Sequence, residues 1–319
     1  MEADAKQLIC AVDLGGTNLR AAIIDNGGYI HERFKSRTPN TSSAADVVSA
    51  IAEAVGECEN SASGLTEAVS VVVPGSVQHG TGIVVNAPNI PSLAGFKLGN
   101  ALKEKLNWPI LLENDANAAA LGEMWKGASR DCQTSVCLTL GTGVGSGIIL
   151  DRKLWRGIDG TAGEIGHTSV DPFGGVKCKC GNVGCLEVCA SATAIARMAR
   201  AGLQESTDST LAAIAPSDLD SKHVYEAALK GDKLALGVFR QMATYLGIAF
   251  ANVANTLNPE KIVIGGGVSA AFDLFAAQAR DEMIARAFPV SAQRCQIVKA
   301  ECGDDAGLLG AAWLAFGVR

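Results

Sequence analysis

One histidine and three closely spaced cysteines are the residues of this chain best suited to chemistry. His167 closes the run Glu164-Ile-Gly-His167, and Cys178, Cys180 and Cys185 follow in a short segment. One imidazole and three thiolates form a complete tetrahedral ligand set for zinc, and with all four positions supplied by protein none stays open for water. A zinc held in this way fixes a loop and performs no chemistry of its own. It would also fix two carboxylates, because Glu164 lies three residues before His167 and Glu187 two residues after Cys185.

Other readings of the cysteines fit less well. A disulfide framework needs an oxidising compartment, and the leading run Met1-Glu-Ala-Asp-Ala-Lys-Gln7 has no basic region followed by an apolar stretch. Cys189, four residues beyond Cys185, could compete as a ligand, but it adjoins a segment, 191–200, that reads as a helix. It is expected to be a buried thiol. Cys10, Cys58, Cys132, Cys137, Cys295 and Cys302 are scattered singly, mostly in apolar runs, as reduced core cysteines are. A cytoplasmic location is expected.

At 319 residues the chain exceeds the size at which a single core keeps growing, so two domains are expected. A hydrophobic share of 48% supplies both cores, and much of it is alanine. No run approaches the roughly 18 apolar residues of a membrane span. A net charge of −6 without a Lys/Arg cluster argues against a nucleic-acid surface, which needs concentrated basic side chains. The expected partner is a small molecule, not a membrane or a nucleic acid.

Two glycine-rich turns repeat one layout. The apolar run 8–12 enters Asp13-Leu-Gly-Gly-Thr-Asn18 and leaves as a second apolar run, 19–24, while 136–140 enters Gly141-Thr-Gly-Val-Gly-Ser-Gly147 and leaves as 148–150. Each turn joins strand to strand, unlike the dinucleotide fingerprint and the P-loop, which join strand to helix; Ser146 also stands where the fingerprint needs its third glycine. Glycines at such tips let backbone N–H groups approach a phosphate, with the Thr17 and Thr142 hydroxyls as further donors. Two ordinary hairpins would read the same way. The Asp13 carboxylate and the duplication favour a nucleotide held between two domains.

A third cluster, Gly265-Gly-Gly267, follows the apolar run 261–264 and precedes an amphipathic segment, 270–287, so here strand passes to helix. Bare backbone at that turn suits the adenosine end of a nucleotide. Helices are also expected at 44–57, 116–126, 224–229, 234–257 and 306–316, from apolar positions recurring at three and four residues. Strands and helices alternate in both halves, the pattern of an α/β protein with two layered domains.

Asp115 is the acid–base candidate. The run 109–112 reads as a strand, Glu113-Asn114-Asp115 ends it, and an alanine-rich helix begins at once. That places Asp115 at the strand edge where ligands of open α/β sheets bind. Asp is also a common helix cap. A second polar turn, Asn86-Ala-Pro-Asn89, interrupts an apolar region, and asparagine amides both donate and accept, as a polyhydroxylated ligand demands.

Together, Asp13-Leu-Gly-Gly-Thr-Asn18, Asn114-Asp115, Leu140-Gly-Thr-Gly143, Glu164-Ile-Gly-His167 and Cys178-Lys-Cys-Gly-Asn-Val-Gly-Cys-Leu-Glu187 resemble, in order, the motif set of the ROK family of repressors, open reading frames and sugar kinases. Within that family the run 162–167 is most similar to bacterial glucokinases. The resemblance implies the actin-like ATPase fold with two RNase H-like α/β domains, a structural zinc loop, and phosphorylation of glucose or a related hexose by ATP with Mg2+. It puts 1–115 in a smaller N-terminal domain completed by 303–319, and 116–302 in a larger domain carrying the zinc loop. A homodimer or higher homo-oligomer is expected.

Carried onto this chain, the resemblance makes Asp115 the general base on the sugar's 6-hydroxyl and Asp13 the group that orients magnesium. Gly15, Gly16, Thr17 and Asn18 in one turn and Gly141, Thr142 and Gly143 in the other would hold phosphates, with Gly265, Gly266 and Gly267 toward the adenosine. Asn89, Asn114, Asp115, Glu164, His167 and Glu187 would bind the sugar, and His167 would serve zinc through its other ring nitrogen. The one departure is Val188-Cys189-Ala190, where the family's pattern carries an aromatic. A kinase for an N-acyl hexosamine, fructose or another hexose fits almost as well. A sugar-responsive repressor fits less, since seven residues precede the first apolar run and leave no helix-turn-helix.

Overall fold

Alternation along the first strand sets its place. In β1 (Leu8–Leu14), Leu8, Cys10, Val12 and Leu14 enter one hydrophobic cluster while Ile9 and Ala11 enter another. A strand apolar on both faces must be covered on both. The computed structural model describes residues 7–61, 66–205 and 208–317. After β1 come β2 (Asn18–Asp25), β3 (Ile30–Arg37), α1 (Ala44–Ser61), β4 (Thr66–Val73), the hairpin of β5 (Ser76–Gln78) and β6 (Ile83–Asn86), α2 (Leu98–Leu106), β7 (Ile110–Asn114) and α3 (Asp115–Lys126). The sheet order is β3-β2-β1-β4-β7. β2 is antiparallel to β1 and β3, whereas β1, β4 and β7 run parallel.

The same layout recurs. β8 (Ser135–Leu140), β9 (Val144–Leu150) and β10 (Lys153–Leu154) are followed by α4 (Leu186–Ala190), α5 (Ala192–Glu205), α6 (Ser221–Leu229), α7 (Lys233–Leu257), β11 (Lys261–Gly265), α8 (Phe272–Arg286), α9 (Pro289–Arg294), β12 (Gln296–Lys299) and α10 (Ala306–Phe316). Their sheet order is β10-β9-β8-β11-β12, with β11 parallel to β8 and β12. α7 is long and apolar enough to cross a membrane, yet Phe239, Met242, Leu246 and Phe250 are buried in a core with α8.

The chain divides into two compact units: Met1–Asp131, Gly147–Gly163 and Glu301–Arg319 form the first, Cys132–Ser146 and Glu164–Ala300 the second. α3, which the sequence reading placed in the second domain, belongs to the first because it packs along α10. Small residues permit that approach. A Cβ on Gly310 would run into the Ala118 carbonyl, and one on Gly122 into that of Ala306. With Leu308, Leu309 and Ala312, this pair covers the Ile9 and Ala11 face of the sheet, while Val47, Ile51 and Val55 of α1 cover the other.

Candidate active site and metal centre

In the first unit, parallel pairing brings three predicted residues to one edge. Asp13 pairs with Val72 and Asn114 with Val73, so Asp13 and Asn114 stand near the carboxyl ends of β1 and β7, the strands on either side of β4, with Asp115 next in chain. Asn114, not Asp115, is the N-cap of α3: its Oδ1 accepts from the N–H groups of Ala116 (2.9 Å) and Asn117 (3.0 Å). Its Nδ2 donates to the Gly75 carbonyl and the Asp115 carboxylate, both at 3.0 Å. Asp115 is thereby the first helical residue. Solvent touches its side chain, but protein crowds it closely enough that burial pushes its pKa up to about 6, with the charge of Asp13 adding to the rise and the Ala116 N–H opposing it.

Asp13 is itself raised by burial, and Arg20 opposes that rise. The Arg20 guanidinium donates to Asp13 Oδ2 at 2.5 Å and to the Asp304 carbonyl at 2.8 Å. The turn after β1 is closed by Gly15 N–H on the Asn18 carbonyl (2.8 Å) and by the Thr38 hydroxyl on the Gly15 carbonyl (2.6 Å). Gly16, Thr17 and Asn18 remain exposed. Asn89 lies against this turn, since a Cβ on Gly16 would come 3.0 Å from the Asn89 Cβ.

In the second unit, Gly141, Thr142 and Gly143 form the tip between β8 and β9, closed by Gly141 N–H on the Gly143 carbonyl at 2.9 Å. Gly141, Thr142 and Gly267 line a cavity of about 550 Å³ together with Ser221, Lys222 and Tyr225. Gly266 has φ +78°, and a Cβ there would meet the Leu140 backbone, so glycine is required where β11 passes to the helical side. That volume falls in the range typical of small-ligand pockets.

The Glu164-to-His167 turn packs on the start of β9. A Cβ on Gly166 would meet the Val144 carbonyl, and the Ile165 N–H reaches the Ser146 hydroxyl at 3.3 Å. His167 Nδ1 faces Cys178 Sγ at 3.6 Å, Cys180 Sγ faces Cys185 Sγ at 3.6 Å, and all four ligand atoms lie within 4.8 Å of one another. A tetrahedron with metal–ligand bonds of about 2.0–2.3 Å has edges of about 3.3–3.8 Å. The four residues therefore fit a metal ion, and all ten cysteines are free of disulfides. Nε2 of His167 points away, 3.9 Å from Glu164 Oε2. Cys189 is buried in α4, its thiol pushed up to about 11 by burial.

Glu187 lies in α4, and the other predicted groups lie in turns or at the ends of strands and helices. Asp13, the Gly15–Asn18 turn, Asn89, Asn114 and Asp115 lie in the first unit. The Gly141–Gly143 turn, the Gly265–Gly267 turn, Glu164, His167, Glu187 and the three cysteines lie in the second. Sequence reasoning missed Arg20, the α6 residues of the cavity, and the pair formed by buried Glu113 and Arg156 (2.7 Å). Arg20 left a signal, being a charged residue inside an otherwise apolar strand. Ser221, Lys222 and Tyr225 left none, because surface residues of an amphipathic helix read alike whether or not a cavity adjoins them.

Comparison with known proteins follows the same lines. Residues 9–317 match the ROK family. Over 311 residues the chain is 41% identical to a glucokinase of Halalkalibacterium halodurans, covering 95% of this chain and 93% of that one. It is 34% identical to an N-acetylmannosamine kinase of Haemophilus influenzae, covering 95% of this chain and 93% of the relative. A ROK family glucokinase from Streptomyces griseus, solved with glucose and AMPPNP, superposes with a TM-score of 0.82 at 35% identity, covering 96% of this chain and 98% of that structure. The fold is the actin-like ATPase fold of these proteins.

Proposed function

The chain belongs to the ROK family, and from that premise we propose that it transfers the γ-phosphoryl group of ATP to the 6-hydroxyl of glucose. The observation that carries the reading is Asp115: a carboxylate at the sheet edge, oriented by Asn114, whose pKa of about 6 leaves it ionised at neutral pH yet more basic than an ordinary aspartate. A general base works best when its pKa lies near the operating pH. Asp115 takes the hydroxyl proton as the oxygen attacks the γ-phosphorus. Asn89, Asn114, Glu164, His167 and Glu187 bind sugar hydroxyls.

Phosphoryl transfer depends chiefly on positioning and charge stabilisation. The Gly15–Asn18 and Gly141–Gly143 turns hold phosphates, the Gly265–Gly267 turn and the cavity beside it hold adenosine, and Asp13 orients the magnesium that accompanies ATP. His167, Cys178, Cys180 and Cys185 are the residues that would hold zinc, whose contribution is structural because no coordination position is left open. Ligation by thiolates needs reduced cysteines, which supports a cytoplasmic location, and a homo-oligomer belongs to the same proposal. A coupled ADP-release assay over a panel of hexoses tests the reading. Glucose is expected to give the highest kcat/KM; an N-acyl hexosamine outrunning it would keep the kinase and replace the substrate, as the 34% identity to an N-acetylmannosamine kinase allows.

A further inference from the structure

Glu187 already holds part of the protein before any sugar reaches it. Its Oε2 accepts a hydrogen bond from the Val144 N–H at 3.1 Å, and it occupies the space a Cβ on Gly143 would need. Gly143 ends the turn assigned to phosphate and Val144 opens β9. The same turn is fastened twice more to the chain just after Glu187. The Ala192 N–H donates to the Gly141 carbonyl at 2.8 Å, and the Thr193 hydroxyl donates to the Thr142 carbonyl at 2.9 Å. Three bonds from one short segment, 187–193, therefore hold Gly141, Thr142 and Val144, and the first two of these line the cavity.

Building on the kinase reading above, we propose that Glu187 and Thr193 are positioning residues for the phosphate turn, and that Glu187 couples sugar binding to nucleotide binding. A sugar hydroxyl that donates to Glu187 orients the carboxylate, and the oriented carboxylate holds Val144 N–H and the turn in place. The turn then meets phosphates without the entropy cost of ordering. Coupling of this kind is reciprocal, so nucleotide tightens glucose by the same factor by which glucose tightens nucleotide. Gly143 is required because any side chain there would displace Glu187 from Val144.

Titration calorimetry with MgADP in the absence of any sugar tests the idea, using Glu187→Ala, Glu187→Gln, Thr193→Val and Thr193→Ser. Glu187→Ala and Thr193→Val are each expected to weaken MgADP by about 3- to 30-fold, the usual effect of a residue along a coupling network. Glutamine retains an oxygen for the Val144 N–H, and serine retains the hydroxyl, so both conservative variants should return near to wild type for MgADP. Thr193 is exposed, so its variants are expected to fold. Unchanged MgADP affinity in folded Glu187→Ala or in Thr193→Val would overturn the inference, because a carboxylate that only binds sugar would leave sugar-free nucleotide binding alone. Wild-type protein that binds MgADP but phosphorylates no hexose would remove the kinase reading and, with it, the coupling to sugar, while the turn-positioning half stands or falls on the MgADP titrations.

Discussion

Asn114 donates its amide N–H to the Asp115 carboxylate at 3.0 Å while its oxygen caps α3 through Ala116 and Asn117. One side chain thus starts the helix and aims the base, and Asp115 is released from the capping role that its type and position suggest.

Replacement of Asp115 by Asn keeps the shape and removes the base. A fall in kcat of roughly a hundred- to ten-thousand-fold is expected, with glucose binding weakened far less. Stability should move the other way. The folded-state pKa of about 6 lies above the ordinary aspartate range, so ionising Asp115 costs the folded state stability as pH rises toward and through 6. The Asn variant escapes that cost. Its melting temperature should exceed the wild type's at pH 7.5, and the difference should vanish below about pH 4, where Asp115 is protonated folded or unfolded. Near-normal turnover by the variant would reduce Asp115 to a structural residue.

The same group sets an acid limb on activity. Only the ionised carboxylate accepts the hydroxyl proton, so kcat/KM should rise with pH through about 6 and not through the ordinary carboxylate range. Stopped assays in constant-ionic-strength buffers from pH 4.5 to 8 measure it. A limb below about pH 5 would show that burial does not tune this base.

Much of this was legible from the chain alone, for physical reasons that differ by element. Gly266 and the cysteine spacing are readable because positive φ and tetrahedral ligation each demand particular residue types, and Gly16 and Gly143 because a side chain there would crowd Asn89 and Glu187. The runs of β1 and α7 are readable because burial demands apolar side chains. β3, α2 and β12 carry no such mark: β3 is a charged, half-exposed edge strand, and β12 has four residues, whereas β4 does carry it, in the buried run Val71–Val73, and was not read. The helix expected over 191–200 is α5, and the preceding segment with Cys189 forms the separate helix α4, because Ser191 adopts an extended conformation and its hydroxyl caps α5 through Ala194 N–H at 3.1 Å. The helix expected over 270–287 likewise begins at Phe272, after a tighter turn at Gly267–Ala271. Partners distant in sequence, such as Glu113 with Arg156, depend on the fold and left no local pattern.

That pair supports the next expectation. Glu113 is 5% exposed; one oxygen accepts from the Asn114 N–H and the Asn117 amide, the other from Arg156. Arg156→Gln leaves a buried carboxylate without its cation, a loss of about 3 kcal/mol or more in stability. Urea denaturation should register it as a lower midpoint at unchanged slope. Because Glu113 also holds the N–H of the residue that caps α3, kcat should fall in the folded variant as well. A midpoint within error of the wild type would mean that Asn114 and Asn117 alone satisfy Glu113.

The metal centre gives the final prediction. His167 Nδ1 and the thiols of Cys178, Cys180 and Cys185 fit a four-coordinate ion, so metal analysis should find one zinc per chain. Cys180→Ser removes one ligand at an exposed position and should lower both zinc content and glucose affinity, because Glu164, His167 and Glu187 lose the frame that fixes them. Losses around a metal site typically cost about ten- to a hundred-fold, and more when a direct ligand goes. Turnover should still require magnesium, since zinc offers no open position to a nucleotide. Chelator-treated protein, shown to be folded by circular dichroism and titrated with glucose, decides the matter: zinc-free protein that binds glucose with wild-type affinity would mean that the loop builds the sugar site without its metal.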